Sequence, residues 1–208
     1  MKTRQTTVSI IAIALTLAVI GGVFALALLG ARGDSDVPDY VDVQLIGLIG
    51  TARSGRALEE VRGIVVHYVG NPGTSAQANR NYFANIGTQV CSHFVIGLEG
   101  EIIQCVPLDE RSAASNDRNR DTISIEVCHP DESGKFNEAS YTSLVSLTAW
   151  LCAEFDLTTD DVIRHHDVTG KMCPLYFVEH EDAWLVFKSD VESELQKISS
   201  EQQERTEK

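Results

Sequence analysis

The chain has 208 residues and a formal net charge of −13, with 43% hydrophobic and 23% charged residues. This composition indicates a globular protein with room for one substantial domain, and it excludes an extensively disordered chain. The acidic balance argues against a protein that grips nucleic acid through its phosphates, and against loose electrostatic adhesion to an anionic surface. An anionic partner must therefore be recognised locally, in a cleft.

The first part of the chain predicts a membrane anchor. Residues 1–6 are basic, and residues 7–31 contain no charged side chain and consist mainly of Ile, Leu, Val, Ala and Phe. A helix of this length measures roughly 37 Å, which is enough to cross the hydrocarbon core of a bilayer. Lys2 and Arg4 place the N-terminus in the cytoplasm by the positive-inside rule, so the rest of the chain is expected outside the membrane. The alternative is a cleaved signal peptide, which would make the protein secreted.

The remainder of the chain predicts a single domain between two polar segments. Residues 32–44 are expected to be a linker, because glycine, aspartate, serine and proline there cannot hold a core. The domain is predicted over 45–188, and residues 189–208 are expected to form a polar C-terminal tail. Predicted strands and helices interleave within the domain, which favours an α/β fold with a central mixed β-sheet flanked by helices.

Hydrophobic patterns and turn residues place the elements of that fold. The predicted strands are residues 64–69, 92–98, 101–106, 122–128 and 162–165. The predicted helices run from about residue 75 to 86, from 137 to 155, and from about 178 onward. In the strand over 122–128, Glu126 lies on the face whose other residues are mostly polar.

Histidine and cysteine supply the candidates for metal chemistry. There are five cysteines, and an odd count leaves at least one thiol outside any complete set of disulfides. His165 and Cys173 flank a predicted loop that turns at Gly170, and imidazole and thiolate are ligands that zinc prefers. His67, in an apolar strand just before a Gly/Pro turn, is the candidate third ligand. The residues alone leave an equal alternative, which is a core histidine at 67 and a buried thiol at 173.

Four segments, taken in order, resemble the zinc-dependent N-acetylmuramoyl-L-alanine amidases, the family that includes phage amidase endolysins and peptidoglycan recognition proteins. These segments are residues 63–72, 92–104, 122–128 and 164–174. The resemblance extends from about residue 45 to residue 180. It implies a central mixed sheet flanked by helices. It also implies hydrolysis of the amide that joins N-acetylmuramic acid to the L-alanine of the peptidoglycan stem peptide.

The same resemblance implies a set of site residues. Zinc, as the only cofactor, would be bound by His67, His165 and Cys173. Glu126 would be the acid/base carboxylate beside the metal, and Lys171 would be the cation that faces the developing oxyanion. The implied partner is peptidoglycan, with no nucleic acid, and we expect the protein to be a monomer.

Two departures from the family pattern affect this assignment. Some phage members have a tyrosine where this chain has Ser92, so a tyrosine-assisted mechanism is not expected and Glu126 gains importance. His166 stands where a non-histidine residue is common, which makes it a competing metal ligand. The eight-residue step to Cys173 nevertheless favours His165.

Two other histidines are not assigned to the metal site. His93 and His129 are interpreted as structural or cleft-lining residues rather than metal ligands.

The alternative function is a module that recognises muropeptides without cutting them, as some recognition proteins of this fold do. Because non-hydrolytic members commonly lack the thiolate ligand, the presence of Cys173 favours catalysis.

Overall fold

The computed structural model describes residues 37–206. The segment predicted to cross the membrane, residues 7–31, and the basic residues before it lie outside this range. Within residues 37–206, no helix combines the length and the apolar character that a membrane crossing requires.

A mixed β-sheet forms the centre of the described part. Its strands are β1 (Val41–Val43), β2 (Ile64–Tyr68), β3 (Phe94–Ile96), β4 (Ile102–Gln104), β5 (Ile123–Val127) and β6 (Val162–Arg164). Their order across the sheet is β1-β4-β3-β5-β2-β6. Strands β3 and β4 form an antiparallel hairpin, and the other neighbouring strands are parallel. The predicted α/β fold with a central mixed sheet is confirmed.

Helices follow or precede the strands along most of the chain. They are α1 (Ala76–Phe83), α2 (Glu138–Phe155), α3 (His165–Thr169), α4 (Leu175–Glu179) and α5 (Glu181–Thr206), with short 3-10 helices at Asn116–Arg120 and Thr159–Asp161. The first two helices begin at side-chain caps: the Ser75 hydroxyl accepts a hydrogen bond from the Ala78 N–H, and the Asn137 side chain accepts one from the Ser140 N–H. Such caps satisfy backbone donors that have no partner inside the helix.

One face of the sheet packs against α1. Val95 and Ile103 of the sheet share a buried cluster with Ala76 and Phe83 of the helix, and Cys128 belongs to the same cluster. Burial of a large apolar side chain stabilises the fold by about 1.5–3 kcal/mol. This core fixes β3 and β4 beside the central strands.

The opposite face is covered by the C-terminal half of the chain. Alternate residues of a strand point to opposite faces, so Phe94 and Ile96 face away from α1, and both are fully buried. Helix α2 contacts β3 and packs against α5. Helix α5 buries Trp184, Phe187 and Val191. The sheet is therefore flanked by helices on both faces.

The structure corrects three predicted boundaries. Residues 32–44 include β1, which pairs with β4 and therefore belongs to the sheet instead of a linker. Residues 189–206 continue helix α5 without a break, and Val191 is fully buried. The helix continues through this polar sequence because its first turns are packed against the domain. The predicted strand 162–165 also ends one residue early, since His165 begins α3.

Candidate metal centre

Three adjacent parallel strands, β5, β2 and β6, end at one edge of the sheet, and the predicted site residues lie at that edge. His67 of β2 is directly opposite Glu126 of β5 in the parallel register, so the two side chains leave the sheet on the same face. His165 follows β6 and is the first residue of α3. The chain then turns at Gly170, whose φ of 77° caps α3 in the left-handed region, and returns to Cys173. Residues far apart in sequence are thereby brought to one place.

The ligand atoms of the three predicted metal-binding residues converge. Nδ1 of His67 lies 3.1 Å from Nδ1 of His165 and 3.8 Å from Sγ of Cys173. All three atoms lie within 4.8 Å of one another. Tetrahedral zinc, with bonds of about 2.0–2.1 Å to nitrogen and about 2.3 Å to sulfur, separates two nitrogens by about 3.3 Å and nitrogen from sulfur by about 3.6 Å. The donor set fits zinc in chemistry and spacing, with a fourth position left for water or substrate.

The other ring nitrogens of the two histidines are held by hydrogen bonds. Nε2 of His67 lies 3.1 Å from the Ser115 hydroxyl, and Nε2 of His165 lies 3.0 Å from Oδ1 of Asn116. Such outer contacts orient the rings of metal-binding histidines and direct the remaining nitrogen toward the ion. Both Nδ1 atoms here are the nitrogens that face the centre.

The protonation states of the two histidines are those of a site prepared for a cation. Burial lowers the pKa of His67 well below its ordinary value, with further lowering by His165 and Lys171. Burial and Lys171 also lower the pKa of His165. The neutral imidazole that a metal requires is therefore the favoured form.

The thiol is different, because burial and, to a smaller extent, the nearby Glu126 raise the pKa of Cys173 to about 12. The Tyr68 backbone N–H, which donates to the sulfur, and Lys171 oppose this rise. Without a cation the sulfur is protonated, so a metal that binds it displaces a proton.

Glu126 is the acidic group of the site. Its Oε2 is buried and has no hydrogen-bond partner in the part of the chain that the structure describes. Burial raises the pKa of this carboxyl to about 8, although the positive charge of Lys171 opposes the rise. A buried carboxyl oxygen with no partner is costly, and such groups are concentrated at functional sites.

An open cleft of about 1090 Å³ connects these groups to solvent. The five residues that the resemblance implied all line it: His67, Glu126, His165, Lys171 and Cys173. Lys171 is exposed at the cleft, and its charge acts on both the histidines and the carboxyl. The arrangement combines a candidate metal site, a carboxyl with a pKa near neutrality and a cation around one open space.

The remaining histidines are outside the metal group. His166 donates from Nδ1 to the Lys171 carbonyl at 3.0 Å, so it braces the ligand loop, and the structure places His165 in the ligand position instead. His93 is fully buried, and its Nε2 donates to the Glu110 carbonyl at 2.9 Å. His129 is buried against the Tyr68 ring, with ring centroids 5.0 Å apart.

Sequence reasoning missed the residues behind the two histidines. Ser115 and Asn116 hold the imidazoles, and Asn119 accepts hydrogen bonds from the N–H groups of Ala114 and Ser115 at 3.0 and 2.6 Å. The only feature of the sequence that could have indicated these residues is the polar run over residues 115–122, directly before β5. Ser92, in contrast, is buried and donates to the Phe94 carbonyl at 2.7 Å, so it does not take the place of the tyrosine found in some relatives.

Comparison with known families agrees with this geometry. Residues 57–175, more than half of the chain, match the N-acetylmuramoyl-L-alanine amidase family. The chain belongs to this family. The matched range contains the three candidate metal ligands, Glu126 and Lys171.

Curated amidases of Bacillus are among its relatives. The chain is 30% identical over 160 residues to the N-acetylmuramoyl-L-alanine amidase CwlL of Bacillus licheniformis, which covers 68% of this chain and 43% of CwlL. It is 29% identical over 164 residues to the amidase BlyA of Bacillus subtilis strain 168, covering 69% of this chain and 44% of BlyA. The chain therefore spans less than half the length of these amidases.

Solved structures show which part of such amidases it resembles. The catalytic domain of XlyA, an amidase of Bacillus subtilis strain 168, superposes with a TM-score of 0.63 at 29% identity. The superposition covers 73% of this chain and 98% of that domain. A mutant endolysin from Bacillus subtilis gives a TM-score of 0.63 at 28% identity, with coverage of 73% and 97%. The similarity to the amidase family is thus to a whole catalytic domain.

Proposed function

We propose that this protein is a zinc-dependent amidase that hydrolyses the bond between N-acetylmuramic acid and L-alanine in peptidoglycan. The observation that carries the proposal is the convergence of two imidazole nitrogens and one sulfur in an open cleft. Beside them lies a buried carboxyl oxygen that has no hydrogen-bond partner among residues 37–206. Membership of the amidase family supports the substrate class.

His67, His165 and Cys173 would hold the zinc ion. Two neutral imidazoles and one thiolate leave the site with about one net positive charge, so it keeps the character of a Lewis acid. When bound, zinc would lower the pKa of a water molecule to about 7 and polarise the scissile carbonyl. Hydrogen bonds between these rings and the side chains of Ser115 and Asn116 would keep both Nδ1 atoms turned toward the ion.

Glu126 would move the proton. Its position opposite His67 places it beside the metal group, and burial holds its pKa at about 8 before a metal is present. A group whose pKa lies near the working pH can both accept and release a proton. We expect it to accept the proton of the attacking water and to deliver it to the leaving amine of L-alanine.

Lys171 would stabilise the oxyanion that forms on the scissile carbonyl. Its side chain lines the cleft on the loop between two ligands, His165 and Cys173. A fixed cation near a developing negative charge is worth a few kcal/mol in the transition state. The cleft itself, at about 1090 Å³, has room for a sugar and several residues of a peptide.

The location that we propose for the enzyme rests on a part of the sequence outside the described range. We propose that residues 7–31 anchor the catalytic domain on the outer side of the cell membrane, where peptidoglycan is accessible. Fractionation of cells into membrane, cytosol and medium tests this. Full-length protein in the membrane fraction supports an anchor, and a shortened form in the medium supports cleavage.

The activity is tested with purified peptidoglycan and the full-length chain. We expect release of stem peptides that carry a new N-terminal L-alanine, and zinc near one equivalent per chain. Glu126→Gln should lower the rate by about 10²–10⁴-fold while zinc remains bound, because general acid/base catalysis is typically worth that much. Glu99→Gln is the matched control, since Glu99 is exposed and does not line the cleft.

Two results would contradict the proposal. Undiminished cleavage by the Glu126→Gln variant would remove the assigned role of that residue. A metal-free protein that binds wall fragments without cutting them would instead establish a recognition module.

A further inference from the structure

We propose that Asn116 is a positioning residue that holds His165 in the one tautomer that can bind a metal, whereas Ser115 allows His67 to change tautomer when the metal arrives. This inference rests on the proposed zinc site. The two residues have different roles because the Asn116 oxygen can only accept a hydrogen bond from His165, whereas the Ser115 hydroxyl can donate to His67 or accept from it.

The contact between Asn116 and His165 determines a proton position. Oδ1 of Asn116 lies 3.0 Å from Nε2 of His165, and an amide oxygen can only accept. Nε2 must therefore carry the proton. A neutral imidazole carries a single proton, so Nδ1 of His165 is left with a lone pair that faces the metal group.

Ser115 imposes no such choice on His67. Its hydroxyl lies 3.1 Å from Nε2 of His67, and a hydroxyl can rotate to donate or to accept. The Nδ1 atoms of the two histidines are 3.1 Å apart, within hydrogen-bond distance, and a hydrogen bond between them needs one proton. Because Nδ1 of His165 has none, Nδ1 of His67 supplies it and Ser115 donates to Nε2.

Metal binding would then change only one of the two rings. Nδ1 of His67 would release its proton to solvent in the cleft and Nε2 would take up one proton from solvent, so the ring stays neutral while the Ser115 hydroxyl turns to accept from the Nε2–H. His165 keeps the same tautomer throughout. No buried nitrogen of either ring loses its partner in either state, which avoids the cost of an unsatisfied buried polar group.

The backbone around these residues is prepared for this role. Asn116 has a φ of 52°, a left-handed conformation that asparagine tolerates better than most residues. The Asn119 side chain accepts from the Ala114 and Ser115 N–H groups, which fixes the turn before the 3-10 helix. The contact with His165 is therefore held by structure outside the metal group.

Two variants separate the hydrogen bond from the backbone conformation. Asn116→Gly keeps the left-handed backbone without strain but removes the acceptor, and Asn116→Asp keeps an acceptor that cannot donate. The test is the Kd of each full-length variant for Zn²⁺, determined by competition with a chromophoric chelator. The tautomers of His67 and His165 are read from imidazole ¹⁵N chemical shifts before and after zinc addition.

We expect Asn116→Gly to bind Zn²⁺ about 10–100-fold more weakly, which is the usual effect of losing an outer contact to a metal-binding histidine. Asn116→Asp should bind at least as tightly as the parent protein. In the parent, His165 should be protonated on Nε2 with and without zinc, and the His67 proton should shift from Nδ1 to Nε2 on zinc binding. Asn85→Gly, at an exposed position that does not line the cleft, is the matched control and should leave the Kd unchanged.

The outcomes distinguish this inference from the proposed function. A parent protein that binds no zinc overturns the proposed zinc site itself. If the parent binds zinc but Asn116→Gly binds equally well, or Asn116→Asp binds as weakly as Asn116→Gly, the positioning role is overturned. An unchanged His67 tautomer on zinc binding overturns the role of Ser115, and the shifts of the parent decide this even if a variant fails to fold.

Discussion

Replacing Glu126 by glutamine should stabilise the metal-free protein, and the gain should grow with pH. Burial raises the pKa of Glu126 to about 8 from 4.5. Because the pKa of this carboxyl is higher in the folded protein, its contribution to the free energy of unfolding is fully present below about pH 4.5. That contribution is lost as the pH rises through about 8. At pH 7 this difference in pKa corresponds to a loss of at most about 3 kcal/mol. Glutamine has no proton to lose, so it escapes this penalty.

Urea unfolding of chelator-treated protein measures the effect. The free energy of unfolding of Glu126→Gln relative to the parent should rise from pH 4.5 to pH 8.5, while exposed Glu99→Gln shows no such trend. Bound zinc should reduce the difference in the free energy of unfolding between Glu126→Gln and the parent, because a nearby cation stabilises the ionised carboxylate in the parent. A gain that is the same at both pH values would show that Glu126 ionises normally in the folded protein, and the acid/base argument would lose its basis.

Three other measurements test separate parts of the site. Lys171→Ala should lower kcat for stem-peptide release by about 10²–10³-fold and leave the zinc content unchanged, and loss of zinc instead would make Lys171 a structural residue. Zinc affinity should rise at least tenfold for each pH unit between pH 6 and 8, because the Cys173 thiol has a pKa of about 12 and must lose its proton; a flat profile in chelator competition would exclude the thiol as a ligand. His166→Ala should retain zinc whereas His165→Ala should not, as judged by metal analysis of dialysed protein, and the reverse result would exchange the two histidines.

Local sequence patterns were sufficient for most of the elements. The β-branched run before residue 69 predicted β2, the serine at 75 predicted the start of α1, and the helical spacing of apolar residues after 137 predicted α2, each within a few residues of its bounds. Such patterns succeed because strand and helix formation depend mainly on nearby residues and on the period of burial. They failed at β1, which is short and largely exposed and is a strand only because β4 lies beside it.

The metal group shows the limit of local patterns. His67 is 98 positions from His165 and 106 from Cys173, so their meeting depends on the order and register of β5, β2 and β6, which no single segment encodes. The resemblance to the amidase family predicted the three metal ligands, Glu126 and Lys171, because members of one family share the same strand order and register. It did not supply Ser115 and Asn116, whose contacts with the rings arise from a turn packed against α3. Residue types thus define the available chemistry, while strand pairing and burial determine which of those groups meet and in which protonation state.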